Sequence, residues 1–125
     1  MLKAGQTLLL PKPGQDVSHL WVVLLDPDPR THETVIVNLT TQREHSETTT
    51  VLKPGEHPFV KHPTVAYYAD ARIADGRAIA AAIESRTYPA REICSAALLE
   101  KLREGLLAST FTPRKVKAHA QLRLA

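Results

Sequence analysis

Two short apolar runs, residues 20–25 and 35–37, constrain the fold of this chain more than any other feature of its sequence. Apolar runs of this length, rich in β-branched residues and bounded by turn-forming residues, are typical of interior strands. The first run ends at residues 26–29, which alternate aspartate and proline and cannot continue a ladder of backbone hydrogen bonds. The sequence therefore predicts a sheet that contains both runs as buried strands.

Polar side chains stand beside both runs. His19 precedes the first run, and Thr40 and Thr41 follow the second. If the two strands pair, an imidazole and two hydroxyls lie at strand ends, where a rigid scaffold can hold them against a ligand. These three residues form the first candidate site.

The remaining pattern predicts three more strands and then two helices. Residues 7–10, 48–52 and 64–73 have strand propensity and lie next to turn signals. Asp75 is placed to cap a helix through about residue 85, and Ser95 a helix through about residue 108. Strands followed by helices predict a mainly β fold with α structure, a small antiparallel barrel or bent sheet with two C-terminal helices packed on it.

We expect a single domain over residues 1–110 and a basic C-terminal tail over residues 111–125. The net charge of +3 permits contact with a polyanion without demanding it. No acidic residue follows Glu104, whereas four lysines and arginines do. We interpret the tail as a solvated, partly frayed terminus, with contact along phosphates as the alternative.

The sequence also bears on where the chain resides. Its one cysteine, Cys94, excludes an intrachain disulfide and a cysteine-based zinc site, and it suits a reducing compartment. The first residues lack the features of a signal peptide, and no apolar stretch approaches the length of a membrane span. We therefore expect a soluble, cytoplasmic protein with no membrane contact.

Residues 55–63 form a second candidate site, because they contain two His-Pro pairs and a lysine. A residue before proline is biased towards extended backbone, so this loop could present His57, Lys61 and His62 to a phosphate. The alternative is an ordered turn whose histidines hydrogen-bond the backbone. The histidine spacing fits no common zinc motif, so we expect neither a metal nor another cofactor.

Three short motifs carry a family resemblance that covers about residues 5–110. Gly5-Gln6 precedes the first strand, His19-Leu20 opens the second, and residues 38–41 read Asn-Leu-Thr-Thr at the end of the third. In this order they resemble the MazF/PemK-like toxins, the RNA-cleaving members of bacterial toxin–antitoxin pairs. That family has Arg-Pro where this chain has His19-Leu20, and a Pro-Leu-Thr-Ser-like motif where Asn38 replaces the proline and Thr40 is retained.

The resemblance implies an SH3-like barrel, a homodimer, a small antitoxin partner and metal-independent cleavage of single-stranded RNA. It makes His19 and Thr40 the expected catalytic pair. An imidazole transfers protons near neutral pH, and Thr40 could hydrogen-bond a phosphate oxygen. The expected substrate-binding residues are Thr41, His57, Lys61 and His62.

Other functions stay open at this point. The chain could be a non-catalytic SH3-like barrel module that binds nucleic acid or a protein partner, because fold does not determine function and the strand-opening arginine is replaced. In that case His19 is satisfied by backbone groups, and Thr40 is an ordinary strand-end hydroxyl. A metal-dependent hydrolase that uses the histidines is a third, less favoured possibility.

Overall fold

The computed structural model describes residues 1–11, 14 and 16–124, and within these residues the chain forms a β-sheet and three helices. The strands are β1 (Thr7–Pro11), β2 (Ser18–Val23), β3 (Glu33–Thr41), β4 (Val51–Leu52), β5 (Thr64–Asp75) and β6 (Ala90–Arg91). The helices are α1 (Gly76–Glu84), α2 (Ala96–Ala108) and α3 (Arg114–Leu124).

The strands form one antiparallel sheet in the order β4-β5-β3-β2-β1-β6. The sheet curls into a half-barrel, and α2 and α3 pack on one of its faces. A bulge in the β3–β5 pairing lies between Ile36 and Asn38, and bulges of this kind increase local twist and bend a sheet. The predicted mainly β fold, a bent antiparallel sheet with two C-terminal helices packed on it, is confirmed.

Alternation along β2 and β3 produces two separate cores, because successive side chains of a strand point to opposite faces. One core contains Leu20 and Val22 of β2 together with residues of β3, α2 and α3. The other contains Trp21 and Val23 of β2 and packs against Ile79 of α1. Both faces of the central strands are therefore covered over most of their length.

Both predicted helix caps are present. The side chain of Asp75 accepts a hydrogen bond from the Arg77 backbone N–H at 2.9 Å, and the Ser95 hydroxyl accepts one from the Leu98 N–H at 3.1 Å. Each bond satisfies an N–H group that has no partner within its helix. The first two helices therefore begin where local sequence placed them.

The C-terminal segment differs from the prediction of a frayed terminus, because α3 packs against the body of the protein. Val116 and Ala120 lie four residues apart, so they share one helix face, and both are buried in the core that also contains α2. Lys117 Nζ donates to the Ser109 carbonyl at 2.8 Å, and the guanidinium of Arg123 donates to the carbonyl of Glu33 at 3.2 Å. Burial of Val116 and Ala120 therefore holds the basic helix α3 against the rest of the protein.

Other differences are smaller. The predicted strand at residues 48–52 is confined to Val51–Leu52, and β6 is a short strand that the sequence analysis did not predict. Of the helices in the described residues, none has the length and apolar character needed to cross a membrane.

Candidate functional site

A pocket of about 330 Å³ lies where β2 begins and β3 ends. Its polar lining is Ser18, His19, Thr40, Thr41, Arg43, His62 and Thr64, and its apolar lining is Val17, Leu39 and Phe59. Four of the six residues predicted from the sequence to act in a site, His19, Thr40, Thr41 and His62, are therefore brought together.

The pairing of β2 with β3 explains why His19 and Thr40 meet. Leu20 is opposite Leu39 in the register, so His19 and Thr40 are the next residues along the two strands. Leu20 and Leu39 both point into the core under α2 and α3, and alternation turns the side chains of His19 and Thr40 to the opposite face. Both residues are partly buried, which places them at the boundary between the sheet and solvent.

His62 is attached to the end of β3 by a direct side-chain contact. Its Nε2 lies 2.8 Å from the hydroxyl oxygen of Thr41. The hydroxyl of Thr64 donates to the His62 carbonyl at 2.9 Å, and Thr64 is opposite Thr41 in the β3–β5 register. A backbone bond from the Gln42 N–H to the Pro63 carbonyl, 3.0 Å long, joins the same two segments. The imidazole of His62 is thus held at the pocket by one hydrogen bond, and the backbone that carries it is held by two more.

His57 has a different position from His62, although both precede a proline. Its side chain is only 2% exposed, and its Nδ1 accepts a hydrogen bond from the Phe59 N–H at 3.1 Å. Because Nδ1 accepts, the N–H group of the ring is on Nε2. Nε2 donates to the carbonyl of Glu92 at 2.7 Å. The structure therefore places His57 inside the loop, and His57 is not among the residues that line the pocket.

Lys61 is exposed and is not among the residues that line the pocket. It lies next to His62 in the chain, on the outside of the loop. The structure therefore does not place Lys61 with the four clustered residues.

Arg43 also lines the pocket, although it was not among the residues that the sequence predicted to act in a site. Its backbone N–H donates to the Ser46 hydroxyl at 2.7 Å, and the Ser46 N–H donates to the Arg43 carbonyl at 3.2 Å. Glu47 anchors the far end of this turn by accepting from the Tyr68 N–H at 2.9 Å and from the Ser109 hydroxyl at 2.8 Å. The one sequence feature that could have indicated Arg43 is its position, two residues after the strand-end residue Thr41.

Two further depressions adjoin the pocket and share its residues. One, of about 380 Å³, runs from Thr40 past residues 43–47 to Tyr67. The other, of about 430 Å³, lies between residues 41–44 and His62. Together the three form a groove across the ends of the strands.

The charge of the pocket favours an anion. Among its described lining residues there is no aspartate or glutamate, whereas there are one guanidinium and two imidazoles. Hydroxyls of Thr40 and Thr41 add hydrogen-bonding groups. This set of groups can transfer protons and hold a phosphate oxygen.

The apolar side of the pocket has exposed surface. Phe59 is 43% exposed and Val17 is 67% exposed, although both are large apolar residues. An aromatic face beside cationic groups suits a ligand that combines a flat ring with a phosphate.

A larger pocket, of about 480 Å³, lies beyond the other end of β2, between the β2–β3 connection and α1. The two carboxylates that line it, those of Asp26 and Asp28, already accept hydrogen bonds from backbone N–H groups. Asp28 accepts from the backbone N–H groups of Arg30 and Thr31, and these bonds, that from Thr31 first, hold the pKa of the Asp28 carboxyl below its usual value. Asp26 accepts from the Ala4 N–H at 2.9 Å. Polar groups engaged in this way leave little chemistry for a ligand, so we regard the smaller pocket as the candidate site.

In the part of the chain that the structure describes, no group of three or more histidine, cysteine, aspartate or glutamate side chains is arranged to hold a metal ion. Cys94 is buried, and burial raises the pKa of its thiol to about 11. A thiol with so high a pKa is a poor nucleophile near neutral pH, so Cys94 serves as a small core residue.

Comparison of the sequence with protein-family models and with curated proteins found no match. Function is therefore inferred from the residues of the pocket and from the motif resemblance.

Proposed function

We propose that this protein is a metal-independent endoribonuclease that acts on single-stranded RNA, as the resemblance to the MazF/PemK-like toxins implies. The observation that supports this most is the meeting of His19 and Thr40 in one pocket with a second imidazole, that of His62. Two imidazoles and a hydroxyl are sufficient for the proton transfers of RNA cleavage.

The proposed reaction is an in-line attack by the ribose 2′-hydroxyl on the adjacent phosphorus. One imidazole accepts the proton of the 2′-hydroxyl as the new P–O bond forms. The other donates a proton to the 5′-oxygen as that P–O bond breaks, so the products are a 2′,3′-cyclic phosphate and a 5′-hydroxyl. His19 and His62 fill these two roles, and Thr40 donates a hydrogen bond to a non-bridging phosphate oxygen.

The exposed apolar wall of the pocket, formed by Val17 and Phe59, favours the proposal that the substrate is single-stranded. Phe59 is 43% exposed beside the pocket, and proteins that bind unpaired RNA stack its bases on aromatic side chains. The bases of a duplex already stack on one another and are not available for such a contact.

The further expectations of the resemblance belong to the same proposal. They are a homodimer, a small antitoxin protein that holds the activity in check, and a cytoplasmic location. The single cysteine and its burial fit a reducing compartment.

A second candidate is a non-catalytic module that uses the same pocket to bind nucleic acid or a protein partner. The observation that favours it is the identity of residue 19, since histidine stands where the resembled family has an arginine. Arginine and histidine are not interchangeable in stabilising transition-state charge.

The test is incubation of purified protein with long single-stranded RNA in the presence of EDTA, beside the variants His19→Ala and Thr40→Ala. Matched controls are Thr110→Ala at an exposed position after α2, and His32→Asn at the far end of the sheet. Asparagine is chosen there because residue 32 has a φ of 63°, which asparagine tolerates.

We expect cleavage by the wild type and by both controls in EDTA, and only low residual cleavage by His19→Ala or Thr40→Ala. Retention of RNA without cleavage would favour the binding module. Cleavage that stops on addition of EDTA would contradict the metal-independent mechanism.

A further inference from the structure

Arg43 occupies the centre of the groove at the strand ends. It lines the candidate pocket and both adjoining depressions, and Thr41 is the other residue that lines all three. A ligand that follows the groove in any direction from His19 or His62 therefore passes Arg43.

None of the described residues engages the guanidinium of Arg43. Within residues 1–11, 14 and 16–124 it makes no hydrogen bond and no ion pair, in contrast to Arg77, which contacts Asp75 at 3.3 Å. Of the two carboxylates in the neighbouring depression, Glu47 accepts from Tyr68, Thr49 and Ser109. Glu44 is exposed on the rim. The five N–H donors of Arg43 are thus available to a ligand.

The backbone that carries this side chain is nevertheless fixed. The two hydrogen bonds between Arg43 and Ser46 close a turn, and Glu47 attaches that turn to β5 and to the residue that follows α2. The Gln42 N–H joins its near end to Pro63. A donor group on a fixed base can be directed at a charge with little loss of entropy on binding.

The proposed reaction so far assigns only a neutral group, the Thr40 hydroxyl, to the charge that develops on the phosphate. Negative charge accumulates on the non-bridging phosphate oxygens as the 2′-oxygen attacks, and the imidazoles are occupied with proton transfer. Guanidinium is the side chain best suited to hold two phosphate oxygens at once, and Arg43 is the one lysine or arginine among the described residues of the pocket.

We infer that Arg43 binds the phosphate of RNA at this site and stabilises the charge of the transition state during cleavage. This inference rests on the proposed function and deepens it by assigning the charge-stabilising residue. It places the scissile phosphate in the pocket that Arg43 lines together with Thr40, His19 and His62.

The experiment compares wild type with Arg43→Ala and Arg43→Lys, and with Arg30→Ala as a matched exposed arginine at the opposite end of the sheet. Two quantities are measured: kcat and KM on a single-stranded RNA oligonucleotide, and the dissociation constant of the same oligonucleotide with 2′-O-methyl groups, which cannot be cleaved. Thermal unfolding of each variant shows whether the fold is intact.

We expect Arg43→Ala to lower kcat by roughly 100-fold, the usual loss on removal of one charge-stabilising donor. We also expect it to weaken binding of the 2′-O-methyl oligonucleotide by roughly tenfold. Relative to Arg43→Ala, Arg43→Lys restores part of the binding affinity and a smaller part of kcat. An ammonium has the positive charge of a guanidinium but cannot bind two phosphate oxygens with parallel N–H groups. Arg30→Ala behaves as wild type.

The outcomes separate this inference from the proposed function. Cleavage by Arg43→Ala at the wild-type kcat overturns the role of Arg43 and leaves the ribonuclease intact. An inactive wild type overturns the ribonuclease, and the binding measurement then decides the phosphate contact. Unchanged affinity of Arg43→Ala for the 2′-O-methyl oligonucleotide overturns that contact as well.

Discussion

The hydroxyl oxygen of Thr41 and Nε2 of His62 lie 2.8 Å apart, and this contact fixes an imidazole of the loop before β5 to the last residue of β3. This contact joins the two candidate sites predicted from the sequence, because His62 belongs to the loop of residues 55–63 and Thr41 to the strand ends. It also gives the pocket two imidazoles, and their combined protonation should control the activity.

The first prediction concerns pH. If one imidazole acts as base and the other as acid, a plot of kcat/KM against pH is bell-shaped. His62→Ala should remove one limb of that profile and His19→Ala the opposite limb, with low residual activity in each. Initial rates in buffers of constant ionic strength measure it. A His62→Ala profile with both limbs intact would show that His62 transfers no proton.

The second prediction concerns the apolar wall. Phe59→Ala should raise KM for single-stranded RNA by roughly 5- to 150-fold, because loss of one base–aromatic stack costs about 1–3 kcal/mol. Phe59→Tyr keeps the ring and should keep KM. The backbone bond from the Phe59 N–H to His57 is retained in both variants, so the loop should stay folded. Equal KM values for the alanine and tyrosine variants would exclude stacking at this position.

The third prediction concerns Gly105 in α2, whose backbone packs against the ring and hydroxyl of Tyr68. Helix propensity alone predicts that Gly105→Ala gains about 1 kcal/mol. A Cβ at residue 105 would, however, lie 2.7 Å from Cζ of Tyr68 and overlap the hydroxyls of Tyr68 and Thr50. We therefore expect a loss of about 1–3 kcal/mol, typical of overpacking, in the free energy of unfolding by urea. Glu104→Ala, one residue earlier and exposed, is the control; a Gly105→Ala protein as stable as this control would contradict the close approach.

The fourth prediction concerns Glu56. Its carboxylate accepts a hydrogen bond from the Lys53 N–H at 2.6 Å and contacts Lys101 Nζ at 3.0 Å. The bond from Lys53, followed by the contact with Lys101, lowers the pKa of Glu56. A lowered pKa stabilises the fold above the unfolded-state pKa, and the contribution disappears as the pH falls through the folded-state value.

Glu56→Gln should therefore be less stable than wild type near neutral pH, by about 0.5–1 kcal/mol for a partly exposed pair. The difference should shrink as the pH falls below the unfolded-state pKa of about 4.3 and vanish below the lowered folded-state pKa of Glu56. Urea unfolding at several pH values measures it. A difference that persists undiminished at pH 3 would point to a cause other than the charge.

Local patterns in the sequence were enough to predict most of the secondary structure and the core of the candidate site. The cap residues Asp75 and Ser95 and the apolar alternation of β2 and β3 depend on near neighbours in the chain. Strand pairing then brings His19 next to Thr40. Leu20 and Leu39 are paired, and His19 and Thr40 are each one residue away from their leucine in the same direction.

The rest depends on contacts between residues far apart in the sequence. The turn that carries Arg43 is anchored by Glu47, whose partners Tyr68 and Ser109 lie 21 and 62 positions away. His57 is turned inward by the carbonyl of Glu92, 35 positions away. No local pattern distinguishes His57 from His62, since each precedes a proline, and only the folded chain separates their roles.

The pocket is assembled from three separate stretches of chain, residues 17–19, 39–43 and 59–64. A molecule that bridges them cannot stay bound once β2, β3 and β5 separate, so its binding is linked thermodynamically to unfolding. At a ligand concentration one hundred times the dissociation constant, this linkage adds about 2.7 kcal/mol to the folded state. Uncleavable RNA should therefore raise the melting temperature of the protein, which reports occupancy of the pocket whether or not any bond is broken.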